Sequence, residues 1–455
     1  MQWNTTLYGV YLFLLAAALP ACKSFVEVPP PVNQLDINSV FTDDKTATAA
    51  IVAMYSDMEF SAPVSTYLTL LQGLSADELA TTSYDVAFQA FAGNTYMPNN
   101  PYAAAVWALY ANIYQANACI QGIQKSTTLT AAVKDQLLGE ARFCRAFCYF
   151  YLVNLFGDVP LVISTDYRVN DTVSRTPVSQ VYDQIITDLV SAQNLLRTDY
   201  PTDQRVRPNK WTAAALLSRV YLYTGRWSNA EAEASAVISS GSYTLSDLNS
   251  VFLNSSNETI WQLMPVTSFV NTQEALFFIP ALPGQVPLYP LRDGFVAAFE
   301  PGDGRMPAWT DSATVGTQTF YYPYKYKIAG GSPLQEYHIV FRLAEQYLIR
   351  AEARMHEGNL NGAIADVNII RERAGLTALS LSLNVSQVTT AIAQERRIEL
   401  FAEFGHRWLD LKRTGKADAV IGTLKPSTWR PEAALWPVPL AQRNANPFLS
   451  QNKGY

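Results

Sequence analysis

One pattern occurs twice in this chain and limits how it can fold. Residues 214–238 and 347–371 each read as a helical stretch, a glycine turn and a second helical stretch. With Gly225 set on Gly358, Trp227 falls on Leu360, Ala230 on Ala363, Ala234 on Val367 and Val237 on Ile370. The glycine permits a tight reversal, and the small residue five positions later lets two helices approach. Such a unit cannot bury its apolar side alone, so it needs stacked neighbours. The repeat predicts a mostly α fold on a tetratricopeptide-like helix-pair scaffold, with the helical pair in 103–156 as a further unit.

Other runs fill in the frame. Thr42 or Asp43 is placed to cap a helix carrying Ala47, Ala50, Ile51 and Met54 on one face. A helix over about 131–156 stops at Gly157-Asp158-Val159-Pro160, a glycine stop with proline behind it. More helices are predicted near 178–197, 208–224 and 227–239. Two stretches break the pattern. Residues 61–103 read as irregular, and residues 241–337, rich in Pro, Gly, Tyr and Phe, read as loops and short strands inserted into the scaffold. An insertion of that size is usually functional.

The start of the chain reads as an address. Residues 7–21 carry no charge, are too short to span a bilayer comfortably and end in small residues, as a signal-peptide core does. Leu19-Pro20-Ala21-Cys22 resembles the lipobox of bacterial lipoproteins, in which the cysteine is acylated, although MQWNTT lacks the usual Lys or Arg. The three prolines that follow favour an extended tether. The expected division is a signal peptide over 1–21, a lipid anchor and tether over 22–40, an N-terminal helical part over 41–240, an irregular insertion over 241–337 and a C-terminal helical part over 338–455.

Composition removes some function classes. A net charge of −6 argues against nucleic acid as a partner. Three histidines and four cysteines leave little for a metal site, and no cofactor is expected. Cys119, Cys144 and Cys148 read as buried free thiols. Glu395, Glu399 and Glu403 recur every four residues, and paired carboxylates can cleave glycosidic bonds. Beside Arg396, Arg397 and Arg407, however, they read as ion-paired structure, because arginine neighbours hold acids ionised. The loop from Glu300 to Arg305 offers too few oxygen ligands for an EF-hand calcium site.

The most specific text lies late in the chain. It comprises HIVFRLAEQYLIRAEARMHEGNLNGAIADVNIIRERAGL (338–376), QERRIELFAEFGHRWLDLKRTG (394–415) and LWPVPLAQRNANPFLSQNKGY (435–455). Together these segments resemble the SusD/RagB family of nutrient-uptake lipoproteins from the Bacteroidetes. The likeness extends to GEARFCRAFCYFYLVNLFGDVPLV (139–162), to the Trp107–Asn117 helix and to the lipoprotein-like start. Gln442-Arg443 stands where an acidic residue is common after the Pro-x-Pro. The resemblance implies four tetratricopeptide-like units and an irregular ligand-binding face. It also implies a lipid-anchored position on the outer membrane, facing the exterior and capping a TonB-dependent SusC-type transporter.

The expected function is capture of a glycan or another oligomeric nutrient, without catalysis. Rings stack on the apolar faces of sugars while polar side chains bond their hydroxyls. The candidates are Tyr84, Phe88, Tyr96, Tyr289, Trp309, Tyr321, Tyr322 and Tyr324, with Asp77, Asn94 and Arg292 as polar partners. Trp309 is expected to be an exposed platform, and Trp107, Trp211 and Trp408 are expected in the core. The competing readings are a surface glycoside hydrolase and a transporter lid without ligand affinity of its own.

Overall fold

Asp43 starts a helix in the computed structural model, which describes residues 40–60 and 63–455. Its Oδ1 accepts from the Lys45 and Thr46 amides at 2.9 and 3.0 Å, satisfying donors that a helix start leaves open. The helix runs Asp44–Phe60 and buries Ala47, Ile51 and Met54. The apolar run 7–21 and Cys22 lie outside the described residues.

From there helices pack in chain order. Leu109–Lys125 lies on Ala131–Phe156, which lies on Val178–Leu195, which lies on Lys210–Tyr223. The series continues through Trp227–Ser239, Leu343–His356 and Leu360–Arg373, and Val385–Glu399 closes on the last two. Both repeat glycines sit in turns between consecutive helices with left-handed backbones, Gly225 at φ +67° and Gly358 at φ +83°. Ala230 and Ala363 are fully buried. Ala131–Phe156 is the spine. Apart from Arg142, every residue from Gly139 to Val153 is buried, so the helix is surrounded rather than amphipathic. Its polar groups are paired. Arg145 forks onto Asp188 at 2.6 and 2.8 Å, and Glu140 takes Arg207 and the Tyr55 hydroxyl at 2.7 Å each. Cys119, Cys144 and Cys148 are free and buried.

Two stretches differ from the sequence expectation. Within residues 63–103 the helices Leu68–Ser75, Val86–Gly93 and Pro101–Trp107 stand where the sequence predicts an irregular run, joined by non-helical stretches. Asp85 caps the second of these at the Ala87 amide, and Asn100 caps the third, which has proline in its first turn. The periodicity hides because Leu68–Ser75 is buried on all sides. The stretch from His338 also opens differently, as a strand. His338–Arg342 pairs antiparallel with Thr259–Leu263, and both strands are fully buried. The pair ties the two ends of the insertion together. Between them lie short helices and one hairpin, Thr310–Val315 with Gln318–Pro323.

Candidate ligand-binding face

The non-helical parts of residues 63–103 and 241–337 meet. Residues 78–82 run alongside 287–292 as an improvised ladder. The Thr82 amide donates to the Leu288 carbonyl at 3.0 Å, Ala80 to Pro290 at 2.8 Å, and Arg292 back to Glu78 at 2.9 Å. Leu79 and Leu291 form a bridge. The Thr82 hydroxyl bonds Pro287 O at 2.8 Å, and Arg292 Nε bonds Leu79 O at 2.9 Å. The hairpin joins from the other side, with Leu291 N donating to Tyr321 O at 2.8 Å. Segments more than 200 residues apart in sequence thereby form one surface, held by the helical frame.

Aromatic rings floor this surface. Phe88 stacks on Tyr102 with centroids 4.0 Å apart, Tyr67 meets Tyr102 edge-on at 5.1 Å, and Tyr289 meets Phe88 at 5.5 Å. The Tyr102 hydroxyl donates to Asp85, and the Tyr322 hydroxyl donates to Asp311 at 2.9 Å. Tyr84, next to Asp85 in the chain, has 96% of its surface exposed. Tyr67, Tyr102, Tyr321 and Tyr324 are half-buried, so each leaves part of its ring open. The face offers rings and hydroxyls, with Asp311 exposed beside them.

Several expected site residues are structural instead. Trp309 is wholly buried, 0% exposed, and donates Nε1 to Leu248 O at 2.8 Å. It is not an exposed platform, because its ring lies among the buried cations of Lys325, Arg342 and Arg373. Asp77 is chelated by Arg407 at 2.7 and 3.0 Å and met by Arg397 at 2.9 Å, so its carboxylate is buried in an ion-pair cluster. Burial works to raise its carboxyl, but the two guanidiniums hold it below the usual range. Next to it, burial and the Asp77 charge push Glu78 up to about 8. Asn94 ends a helix at φ 54° and accepts from the buried Lys425 ammonium at 2.6 Å. The Tyr96 hydroxyl is buried on the Ala433 carbonyl. Phe88 and Tyr289 are buried as the floor, and Tyr322 is buried with its hydroxyl on Asp311. Arg292 braces the ladder. Among the expected rings, Tyr84, Tyr321 and Tyr324 keep open surface. Tyr67, Tyr102, Asp85 and Asp311 were not singled out in the sequence. All four lie in the two segments that the composition marks as irregular, 61–103 and 241–337.

The acidic trio is ion-paired. Glu399 meets Arg305 at 3.0 Å, Arg342 at 2.5 Å, and Arg373. Glu395 meets Arg305 at 2.5 Å, and Glu403 meets Arg342 at 2.8 Å and also Lys325. All three are buried. Burial alone would raise Glu399, but Arg373, Arg342 and Arg305 outweigh it and hold the carboxyl well below the usual range. A group held that way is a poor proton donor. In the Glu300–Arg305 loop, Glu300 is taken by Arg371 and Asp303 by Arg305.

A serially packed helical scaffold that carries a loop-built aromatic face defines a binding-protein architecture. Two family models match the chain, one described as starch-binding associating with outer membrane, over residues 28–222, and the SusD family over residues 305–455. The SusD-like protein P2 of Formosa agariphila is 29% identical, in an alignment covering 98% of this chain and 99% of that protein. A SusD superfamily protein from Bacteroides vulgatus superposes with a TM-score of 0.81 at 20% identity, covering 91% of this chain and 99% of that one. A laminarin-binding SusD-like protein superposes at 0.76 with 25% identity, covering 91% and 100%. The chain belongs to the SusD/RagB family.

Proposed function

We propose that this protein captures glycans on the outer surface of the cell and passes oligosaccharides to a SusC-type TonB-dependent transporter, without cleaving them. The observation that carries the reading is the joined face, with Tyr84 exposed next to Asp85, the Tyr102, Phe88 and Tyr289 ring cluster, Tyr321 on the adjoining hairpin and Tyr324 just after it. The family supports it, as do the starch-binding description of one matching model and the laminarin-binding relative of the same fold. Glu399 and Glu403, held ionised by their cations, and Glu395, buried against Arg305, favour binding over hydrolysis.

The test is calorimetric titration of laminarin and starch oligosaccharides into the protein. Stacking one ring on a sugar contributes about 1–3 kcal/mol, by analogy with burying an apolar side chain. Tyr84→Ala is expected to weaken affinity roughly tenfold. The melt should not move, because a ring this exposed supports no packing. Unchanged affinity for every glycan that binds would remove Tyr84 from the face, and shortening of the oligosaccharides would replace capture with hydrolysis.

The anchor belongs to the same proposal. Cys22, outside the described residues, carries the lipid, and two acyl signals suffice for stable attachment without a membrane-spanning helix. Cys22→Ala should therefore leave the membrane fraction in cells that lack the transporter. If it stays there as the wild type does, the anchor lies elsewhere.

A further inference from the structure

Basic residues are nearly missing from the ligand face. No Lys or Arg occurs between Lys45 and Lys125, nor between Arg226 and Arg292. Those two stretches supply the ladder as far as Leu291 and the rings of Tyr67, Phe88, Tyr102 and Tyr289. The cations that follow are committed elsewhere. Arg305 is buried on Asp303, Glu395 and Glu399, and Lys325 is buried on Glu403. The Lys327 ammonium donates to Asn249 Oδ1 at 2.7 Å. Arg292, half-buried in the ladder, donates Nε to Leu79 O and feels the Asp77 charge. Asp293, exposed and next to it in the chain, offsets it further.

Carboxylates, in contrast, sit among the rings. The Tyr102 hydroxyl donates to Asp85 Oδ2 at 2.5 Å, and the Tyr322 hydroxyl donates to Asp311 Oδ2 at 2.9 Å. Burial and the Asp85 charge raise the phenols of Tyr67, Tyr102 and Tyr289. Burial and the Asp311 charge raise those of Tyr322 and Tyr324. All five rings therefore stay neutral, and no phenolate competes with the two acids. The bond from Tyr102 is the largest cause holding the Asp85 carboxyl below its usual range, so it is ionised.

This arrangement discriminates between classes of glycan. An ionised carboxylate only accepts hydrogen bonds, and a phenol whose proton is committed to a carboxylate offers only its lone pairs. Sugar hydroxyls can donate to both. A uronate or sulfate group brings acceptors and negative charge, and is recognised through Arg or Lys. On this face it would meet like charge, which across an interface suppresses the wrong partner.

We propose that the face selects uncharged glycans and rejects uronic-acid and sulfated ones, with Asp85 and Asp311 as the residues that set the preference. The proposal rests on the capture reading and names the class of glycan captured.

The test is calorimetric titration of matched pairs: laminarin, starch and mannan oligosaccharides, each against the same material oxidised at C6 to the uronate. The backbone is kept and only charge is added. A neutral glycan that binds should do so at least tenfold more tightly than its oxidised form. That ratio should shrink in about 0.5 M NaCl, where exposed charges are screened. Asp85→Asn and Asp311→Asn keep an oxygen to which Tyr102 and Tyr322 can donate, and Asn also serves as the helix cap that Asp85 provides. In the double variant the ratio should fall severalfold. Oxidised glycans that bind as tightly as the neutral ones, or more tightly, would overturn the proposal and leave capture intact. So would an unchanged ratio in the double variant, since Asp85 and Asp311 would then not set it. Absence of binding by every glycan in both forms would overturn the capture reading and this proposal with it.

Discussion

Trp309→Ala should cost about 3–5 kcal/mol of stability, the range for truncating a large buried aromatic, and should affect glycan affinity only through that loss. The indole is fully buried, meets Phe252 edge-on at 5.7 Å and donates to Leu248 O. Its face lies 4.7 Å from the Lys325 ammonium, with Arg342 and Arg373 at 5.8 and 5.6 Å. A desolvated cation over a tryptophan face contributes up to about 2 kcal/mol. Truncation would therefore open a cavity and also expose three buried cations to it. Urea unfolding at neutral pH measures the effect. The contrast with Tyr84→Ala is the informative part, since one variant should lose stability and keep affinity while the other does the reverse. A Trp309→Ala protein that melts like the wild type but fails to bind would restore the platform.

What could be read from the sequence follows the physics of each signal. The repeat around Gly225 and Gly358 was visible because a reversal needs a glycine and a close helix contact needs a small residue. The Ala131–Phe156 helix was visible from end to end because its glycine stop is chemical rather than statistical. Leu68–Ser75 was missed because a helix buried on every side shows no stripe, and His338–Arg342 because a five-residue strand running into a helix is too short to show its period. At the site, the two segments were identifiable by aromatic density, but exposure was not. Whether a ring in a loop faces water depends on what the rest of the chain brings to it. Trp309 meets cations contributed from 325, 342 and 373, and Asp77 meets arginines from 397 and 407. No local pattern records those contacts. The acidic trio is ion-paired as its sequence suggests, but with other partners: Arg305, Lys325, Arg342, Arg371 and Arg373 take it, while Arg396 pairs with Asp410 and Arg397 and Arg407 pair with Asp77.

That trio supports the second large effect. Glu399→Gln should cost about 3–5 kcal/mol, because it keeps the shape but removes the charge that Arg305, Arg342 and Arg373 share. Arg342 would keep Glu258 and Glu403, at 2.9 and 2.8 Å, and Arg373 would keep Glu258 at 2.7 Å. Arg305 would keep Asp303 and Glu395, so the network would lose three ion pairs at its centre while each arginine retains another carboxylate. The sign of the pH dependence follows from the depressed carboxyl. Folded Glu399 stays ionised well below the ordinary glutamate value of 4.5, so its contribution is complete above that value and disappears as pH falls towards the folded one. Glu403, where Arg342 and Lys325 outweigh burial, acts in the same direction. The stability gap between wild type and Glu399→Gln should thus be widest at pH 7 and narrow on acidification below about pH 4.5. Urea titrations at pH 7, 5 and 4 read it directly. A gap that stays constant across that range would mean that packing rather than charge holds the helix in place, and the arginines around Glu399 would then need another account.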